Sequence, residues 1–308
     1  MSITSKRGNR VFSKSAVAAL AVTGVVLTGC GAPAAAPPAT SASSASSAAP
    51  KSHDFEDLER SFGARLGVYA VDTGSGREVA YRADERFAYA STHKVFSAAA
   101  VLQKVGTAGL DRMEHYGPAD VVANSPITQN HAGAGLTLGA AMDAALRYSD
   151  DTGGNLLFRE LGGPAALNSW LRSIGDTTSH VDRVEPTLNE TAPGDPRDTS
   201  TPRAWAADLR TVLLGDTLPA PARTVLTDTM RANTTGATLI RAGLPKDWTV
   251  ADKTGTADHG TRNDIAVAWP PGRAPIVFVV FSDRPAADAP TDDALVARAT
   301  AAAIKALG

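Results

Sequence analysis

The sequence predicts an α+β fold, an α/β sandwich in which a five-stranded antiparallel sheet is built from both ends of the chain around an inserted all-helical subdomain. Three observations predict it. Short runs rich in Val, Ile, Phe and Trp lie near both ends, at 65–82 and 249–282. Between them stand segments whose apolar residues recur at helical spacing, separated by Gly and Pro. Within that helical block, His180 to Thr201 shows neither a 2- nor a 3.6-residue period and holds three prolines. A loop of that length in a compact domain points to function.

The chain is 308 residues long and 43% apolar, enough for a substantial core. Residues 1–30 read as an export signal: Lys6, Arg7, Arg10 and Lys14, an apolar run from Ala16 to Leu27, then Leu27-Thr28-Gly29-Cys30. The run is too short for a membrane span. Cys30 is the single cysteine, so no intramolecular disulfide can form, and its setting resembles the lipobox of bacterial lipoproteins. Residues 31–51 are almost wholly Ala, Ser, Pro, Thr and Gly, a tether without core-forming side chains. The folded domain is then expected over 52–308, with its sheet part at about 52–87 and 233–308 and its helical part at about 88–232. Outside the leader stand 26 basic against 32 acidic residues. That balance argues against nucleic acid or an anionic membrane surface as partner.

A first helix is expected from His53 to Phe62, where Phe55, Leu58 and Phe62 make an apolar stripe that stops at Gly63. Arg65–Val71 alternates, Thr73-Gly74-Ser75-Gly76 turns, and Glu78–Arg82 returns, which predicts a hairpin. Helices follow at Ser91–Val105, Leu138–Tyr148, Asn155–Leu161, Pro164–Ile174, Arg203–Leu214 and Ala220–Arg231. Strands are predicted at Thr249–Lys253, Asn263–Trp269 and Ile276–Ser282, and a terminal helix at Asp292–Leu307. A cleft between sheet and helices results.

Four short motifs carry chemistry. Ser91-Thr92-His93-Lys94 opens a helix, so Lys94 lies on the face of Ser91 and can reach its hydroxyl. The helix N-terminus adds N–H groups suited to a developing oxyanion, and an adjacent amine can activate the serine. Ser149, in Tyr148-Ser149-Asp150, could relay a proton to a leaving nitrogen. Lys253-Thr254-Gly255-Thr256 on a strand offers an ammonium and hydroxyls for a carboxylate, a glycine that permits close approach, and a Thr256 N–H for an oxyanion pair. In the aperiodic loop, Glu185 and Asn189 stand four apart, so one helical turn would aim both at one water; Arg183 and Asp198 could pair to close the loop. Each motif alone also reads blandly, as an N-cap, a helix-end turn, a solvated strand end or an acidic surface loop.

Ser-x-x-Lys, Ser-Asp, Glu-x-x-Leu-Asn and Lys-Thr-Gly in this order and spacing resemble the class A β-lactamases, from about residue 52 to the C-terminus. The resemblance implies a β-lactamase or penicillin-binding-protein-like fold. It also implies a β-lactam hydrolase that confers antibiotic resistance through an acyl-enzyme on Ser91. By it Lys94 is the partner of Ser91, Ser149 the proton relay, and Glu185 with Asn189 the holder of the deacylating water. Asn155 then steadies the glutamate, with Arg183 and Asp198 as loop support. Lys253, Thr254, Gly255 and Thr256 hold the substrate carboxylate with help from Arg262. Whether Lys94 or Glu185 takes the serine proton stays open.

The chain departs from the family pattern at two places. Asp151 stands where Asn is usual, and a carboxylate cannot donate to a substrate side-chain amide unless protonated; weaker recognition of that side chain or pairing with Lys94 are the two consequences to test. Asn124 stands where the family often has an aromatic wall. A penicillin-binding D,D-peptidase lacks the glutamate loop, and a β-lactam sensor would acylate and stop. Glu185 and Asn189 argue against both. No Gly-x-Ser-x-Gly occurs and the six histidines lack zinc-ligand spacing, so a lipase-like triad or metallo-hydrolase is not expected. No cofactor or metal is implied, and monomer is the default. His93 and His259 read as spacers at the cleft edge.

Overall fold

A computed structural model describes residues 53–308; the export signal, Cys30 and the tether lie outside the described residues. Helix α1 (His53–Phe62) leads into strands β1 (Arg65–Asp72) and β2 (Glu78–Tyr81). The helical segments are α2 (Lys94–Val105), α3 (Leu138–Arg147), α4 (Asp151–Leu161), α5 (Pro164–Ser173), α6 (Pro202–Leu214) and α7 (Ala220–Arg231). Strands β3 (Thr249–Ala257), β4 (Thr261–Trp269) and β5 (Ile276–Asp283) follow, and α8 (Asp293–Leu307) ends the chain.

These strands form one five-stranded sheet in the order β2-β1-β5-β4-β3, antiparallel throughout. The expected sheet, assembled from both ends of the domain, is the one observed. In β5, the period-2 alternation sends Phe278 and Val280 to one face and Val277, Val279 and Phe281 to the other. Both faces are covered, which is why this strand reads as an unbroken apolar run. On one side Leu295, Val296, Ala299 and Ala303 of α8 pack with Phe55 of α1. On the other lies the larger core of α2, α3 and α6 with Trp205, Phe96 and Leu209.

Two boundaries differ from expectation for a local reason. Helix α4 begins at Asp151, not Asn155, because the Asp150 side chain caps it by accepting from Gly153 N at 2.8 Å. Gly153 and Gly154 weaken the helical signal there. Strand β3 extends past Lys253 to Ala257 as the sheet edge, which carries the whole Lys-Thr-Gly-Thr motif on one element. The aperiodic loop holds only a short 3₁₀ turn, Thr187–Asn189, and a two-residue pairing of Thr199–Ser200 with Phe87–Ala88.

Candidate active site

Ser91 lies on a 3₁₀ turn, Ala90–His93, that runs directly into α2. Ala90 before it holds a left-handed φ of 50°. The turn is pressed against β3: a Cβ on Gly255 would lie 2.9 Å from the Tyr89 carbonyl oxygen and 3.1 Å from the Ala90 Cβ. The glycine was expected to admit a ligand, yet what comes close is the chain's own backbone leading to the nucleophile. Gly154 plays the same part from α4, where a Cβ would lie 2.8 Å from Lys94 Cε.

Lys94 is fully buried and is the hub of the site. Its Nζ donates to Ser91 Oγ at 2.8 Å, to the Ser149 carbonyl at 2.9 Å and to Asp151 Oδ1 at 2.6 Å, and lies 3.1 Å from Glu185 Oε1. Burial opposes its charge, but the two carboxylates outweigh burial and hold the amine above its ordinary range. Ser91 Oγ donates to Glu185 Oε1 at 3.3 Å. Burial would raise the Glu185 carboxyl, yet the Lys94 ammonium and the His93 contact bring it down to about 2. The resting site therefore holds an ammonium and a carboxylate, both within reach of one serine hydroxyl.

Ser149 occupies the sharp link between α3 and α4 with φ of 57°, so it is a connection between two helices rather than the fraying end of one. Its neighbour Asp150 fixes the link by accepting from Ile127 N and Thr128 N, both at 2.9 Å. Lys253 Nζ donates to Ser149 Oγ at 2.9 Å and to the Thr254 carbonyl at 2.8 Å. Burial and the nearby Lys94 charge lower Lys253 to about 7. Thr254 Oγ1 meets Thr235 Oγ1 at 2.6 Å, and Thr256 Oγ1 accepts from Arg262 Nη1 at 2.8 Å. Arg262 is oriented by Asp293 at 2.6 Å.

The loop comes in from the far side. Asn189 Nδ2 donates to Glu185 Oε2 at 2.6 Å, a direct bond between the two residues expected to share a water. Asn155 holds the glutamate backbone in both directions, accepting from its N–H at 2.9 Å and donating to its carbonyl at 2.8 Å. Arg183 Nε reaches Asp198 Oδ2 at 2.6 Å, and Asp198 Oδ1 also accepts from Asp182 N, Arg183 N and the Tyr89 hydroxyl. Asp198 is fully buried, so removal of Arg183 would strand a charge.

Of three further positions singled out in the sequence, one needs correction. Asp151 is 4% exposed and its carboxylate pairs with Lys94, one of the two consequences expected of it. Burial and the neighbouring Glu185 charge push Asp151 up in spite of the Lys94 contact. Asn124 Nδ2 lies 3.4 Å from Asp151 Oδ1 and donates to the Ser149 carbonyl at 3.1 Å, an amide at the cleft mouth. His93 is not at the cleft edge: it is fully buried, with Nε2 3.3 Å from Glu185 Oε1. A histidine in a helical run reads as packing; the available signal was its place beside the nucleophile. Thr235 was also missed, lying in a Thr-Thr-Gly turn that has no periodic mark. A cavity of about 1100 Å³ lies behind the loop, among Arg65, Arg86, Pro193 and Asp283, and its lining includes none of the residues around Ser91.

Residues 50–307 match the β-lactamase enzyme family. A β-lactamase of Amycolatopsis lactamdurans is 53% identical over 255 residues, which cover 83% of this chain and 84% of that protein. The β-lactamase FAR-1 of Nocardia farcinica is 47% identical across 100% of this chain and 98% of its own. The crystal structure of a halotolerant bacterial β-lactamase superposes with a TM-score of 0.81 at 49% identity, covering 82% of this chain and 98% of that one. With a family match that spans nearly all the described residues and relatives about half identical to it, the chain belongs to the β-lactamase enzyme family, in class A.

Proposed function

We propose that the protein hydrolyses β-lactams, and so confers resistance to them, through an acyl-enzyme on Ser91. The observation that carries the mechanism is the convergence of Lys94 Nζ and Glu185 Oε1 on Ser91 Oγ, at 2.8 and 3.3 Å. Glu185, ionised in the resting site, takes the Ser91 proton, directly or through water. Lys94 stays an ammonium and steadies the developing alkoxide, which makes Glu185 the base for acylation. Ser91 Oγ attacks the lactam carbonyl carbon, with the N–H groups of Ser91 and Thr256 facing the oxyanion. The ring C–N bond breaks and its nitrogen takes the Ser149 hydroxyl proton, while the proton held by Glu185 passes back by way of Lys94 to Ser149, so that Glu185 is a carboxylate again and Lys253 steadies Ser149. Lys253, Thr254, Thr256 and Arg262 hold the substrate carboxylate. Glu185 and Asn189 then direct water at the ester, whose cleavage restores Ser91 and releases the ring-opened acid.

Turnover of a chromogenic cephalosporin by residues 51–308 tests this. Product far above one equivalent, abolished in Ser91→Ala and, in Glu185→Ala, cut to one slowly formed equivalent that stays on Ser91, is the expected result. One equivalent followed by a lasting adduct on Ser91 would instead indicate a sensor or penicillin-binding protein.

We infer export from the basic and apolar leader, and lipid attachment at Cys30 from the Leu-Thr-Gly-Cys sequence, with residues 31–51 as the tether at the outer face of the membrane. Among the described residues no helix is long and apolar enough to cross a membrane. Monomer is the proposed state, and light scattering of the purified domain tests it. Loss of membrane partition in Cys30→Ser tests the anchor.

A further inference from the structure

His93 is fully buried two residues after the nucleophile, and the hydrolytic scheme leaves it without a part. Its ring stacks on Phe158 at 4.9 Å and 16° and is tilted against Tyr89 at 5.9 Å. A phenyl or aliphatic group would fill that space as well. What only the imidazole supplies is two nitrogens, and both touch polar atoms: Nδ1 lies 3.1 Å from Ser97 Oγ and Nε2 lies 3.3 Å from Glu185 Oε1.

The direction of these bonds follows from the carboxylate. An ionised Glu185 only accepts, so Nε2 carries the ring proton and Nδ1 keeps its lone pair. The Ser97 hydroxyl then donates to Nδ1 in preference to the His93 carbonyl, 3.3 Å away. A one-way chain runs from Ser97 through His93 to Glu185. We propose that His93 is a positioning residue for the hydrolytic base, a neutral donor that fixes Glu185 Oε1 while Asn189 fixes Oε2.

The arrangement matters most after acylation. Ser91 Oγ is then an ester oxygen and no longer donates to Oε1, so His93 and Lys94 are the donors that remain on that oxygen. The titratable groups around Glu185 are Lys94 from α2, Asp151 from the start of α4, Lys253 from β3 and Tyr89 just before the nucleophile's turn, and those around His93 are Glu185, Lys94 and Lys253. Burial, with the two lysines, holds the imidazole below its ordinary range against the opposing pull of Glu185. It therefore stays neutral near pH 7 and adds no charge that would blunt the base.

This inference rests on Glu185 being the deacylating base, and the experiment separates the two. Stopped-flow burst kinetics and the pH profile of kcat are measured for wild type, Glu185→Gln, His93→Phe, His93→Gln and Ser97→Ala. His93→Phe keeps the ring stack and removes both nitrogens. It should slow deacylation roughly 10- to 100-fold with a smaller change in acylation, so that acyl-enzyme accumulates. Its acidic limb should move up by about one pH unit, because a carboxylate that loses a donor protonates more readily. His93→Gln, which retains an N–H donor, should recover part of both effects. Ser97→Ala should move the limb the same way by less, and it carries the test if His93→Phe fails to fold. An unmoved acidic limb in His93→Phe, or equal losses in both steps with Gln no better than Phe, would overturn the proposal. Glu185→Gln without an accumulated adduct would overturn instead the role of Glu185 on which it rests.

Discussion

At the scale of single residues the site is a contest between burial and neighbouring charge. Lys253 is buried, makes no ion pair among the described residues, and has its ammonium opposed by Lys94, so it titrates at about 7. A lysine with a lowered pKa is charged below that value and neutral above it, so the hold on a substrate carboxylate should weaken as pH rises. KM for a penicillin is expected to climb roughly tenfold from pH 6.5 to 8.5, and Lys253→Arg, charged throughout, should flatten the rise. A KM that is level over that range in wild type would exclude this account. Asp151 makes a second prediction. Its carboxylate only accepts, where the amide usual at this place in the family could donate to a substrate side chain. Asp151→Asn should raise kcat/KM about tenfold for a penicillin with an acylamino side chain, the worth of about one hydrogen bond of 1.4 kcal/mol. The bare penicillin nucleus should gain nothing, and unchanged kcat/KM for the acylamino substrate would refute the reading.

At the scale of elements, function depends on how closely α4 and β3 approach the start of α2. Gly154 sits inside α4, where Ala would ordinarily stabilise by roughly 0.5–1 kcal/mol. Here the added Cβ would meet Lys94 Cε at 2.8 Å, the far end of a flexible side chain. Gly154→Ala should therefore leave Tm nearly unchanged while it displaces the ammonium from Ser91 and lowers kcat at least tenfold; a fall in Tm with activity retained would contradict this. The strands and most helices were legible because periodicity reports which face is buried, as in β5. The start of α4 was hidden because its two glycines serve packing against Ala141 and Lys94, a tertiary demand with no local pattern. The catalytic motifs were legible because their spacing is fixed by a single helical turn or strand. His93 was not, because its partner Glu185 lies 92 positions away.

The whole molecule contains buried carboxyls that bear on stability rather than chemistry. Asp208 on α6 and Asp176, just after α5, face each other with one oxygen of each lacking any partner in the structure. Asp176 Oδ1 accepts from Thr178 N and Ser179 N at 2.6 and 3.0 Å, which keeps Asp176 ionised although burial opposes it. Burial and the Asp176 charge push Asp208 up to about 9, so the two share a proton. An unfolded Asp208 would release that proton near pH 4, and the folded protein retains it until about 9. The stabilising contribution is thus complete below pH 4 and is lost progressively as pH rises towards 9. Asp176, ionised in both states above pH 5, adds no slope in that window. Asp208→Asn keeps the shape, supplies an N–H to the free Asp176 oxygen and removes the titration. Its Tm advantage over wild type should grow from pH 5 to pH 8 by about 8–16 °C, equivalent to roughly 4 kcal/mol for a domain of this size. Calorimetry at the two pH values reads it directly. A Tm difference independent of pH would mean that Asp208 is ionised in the folded protein and that the pair is held apart by a counter-charge.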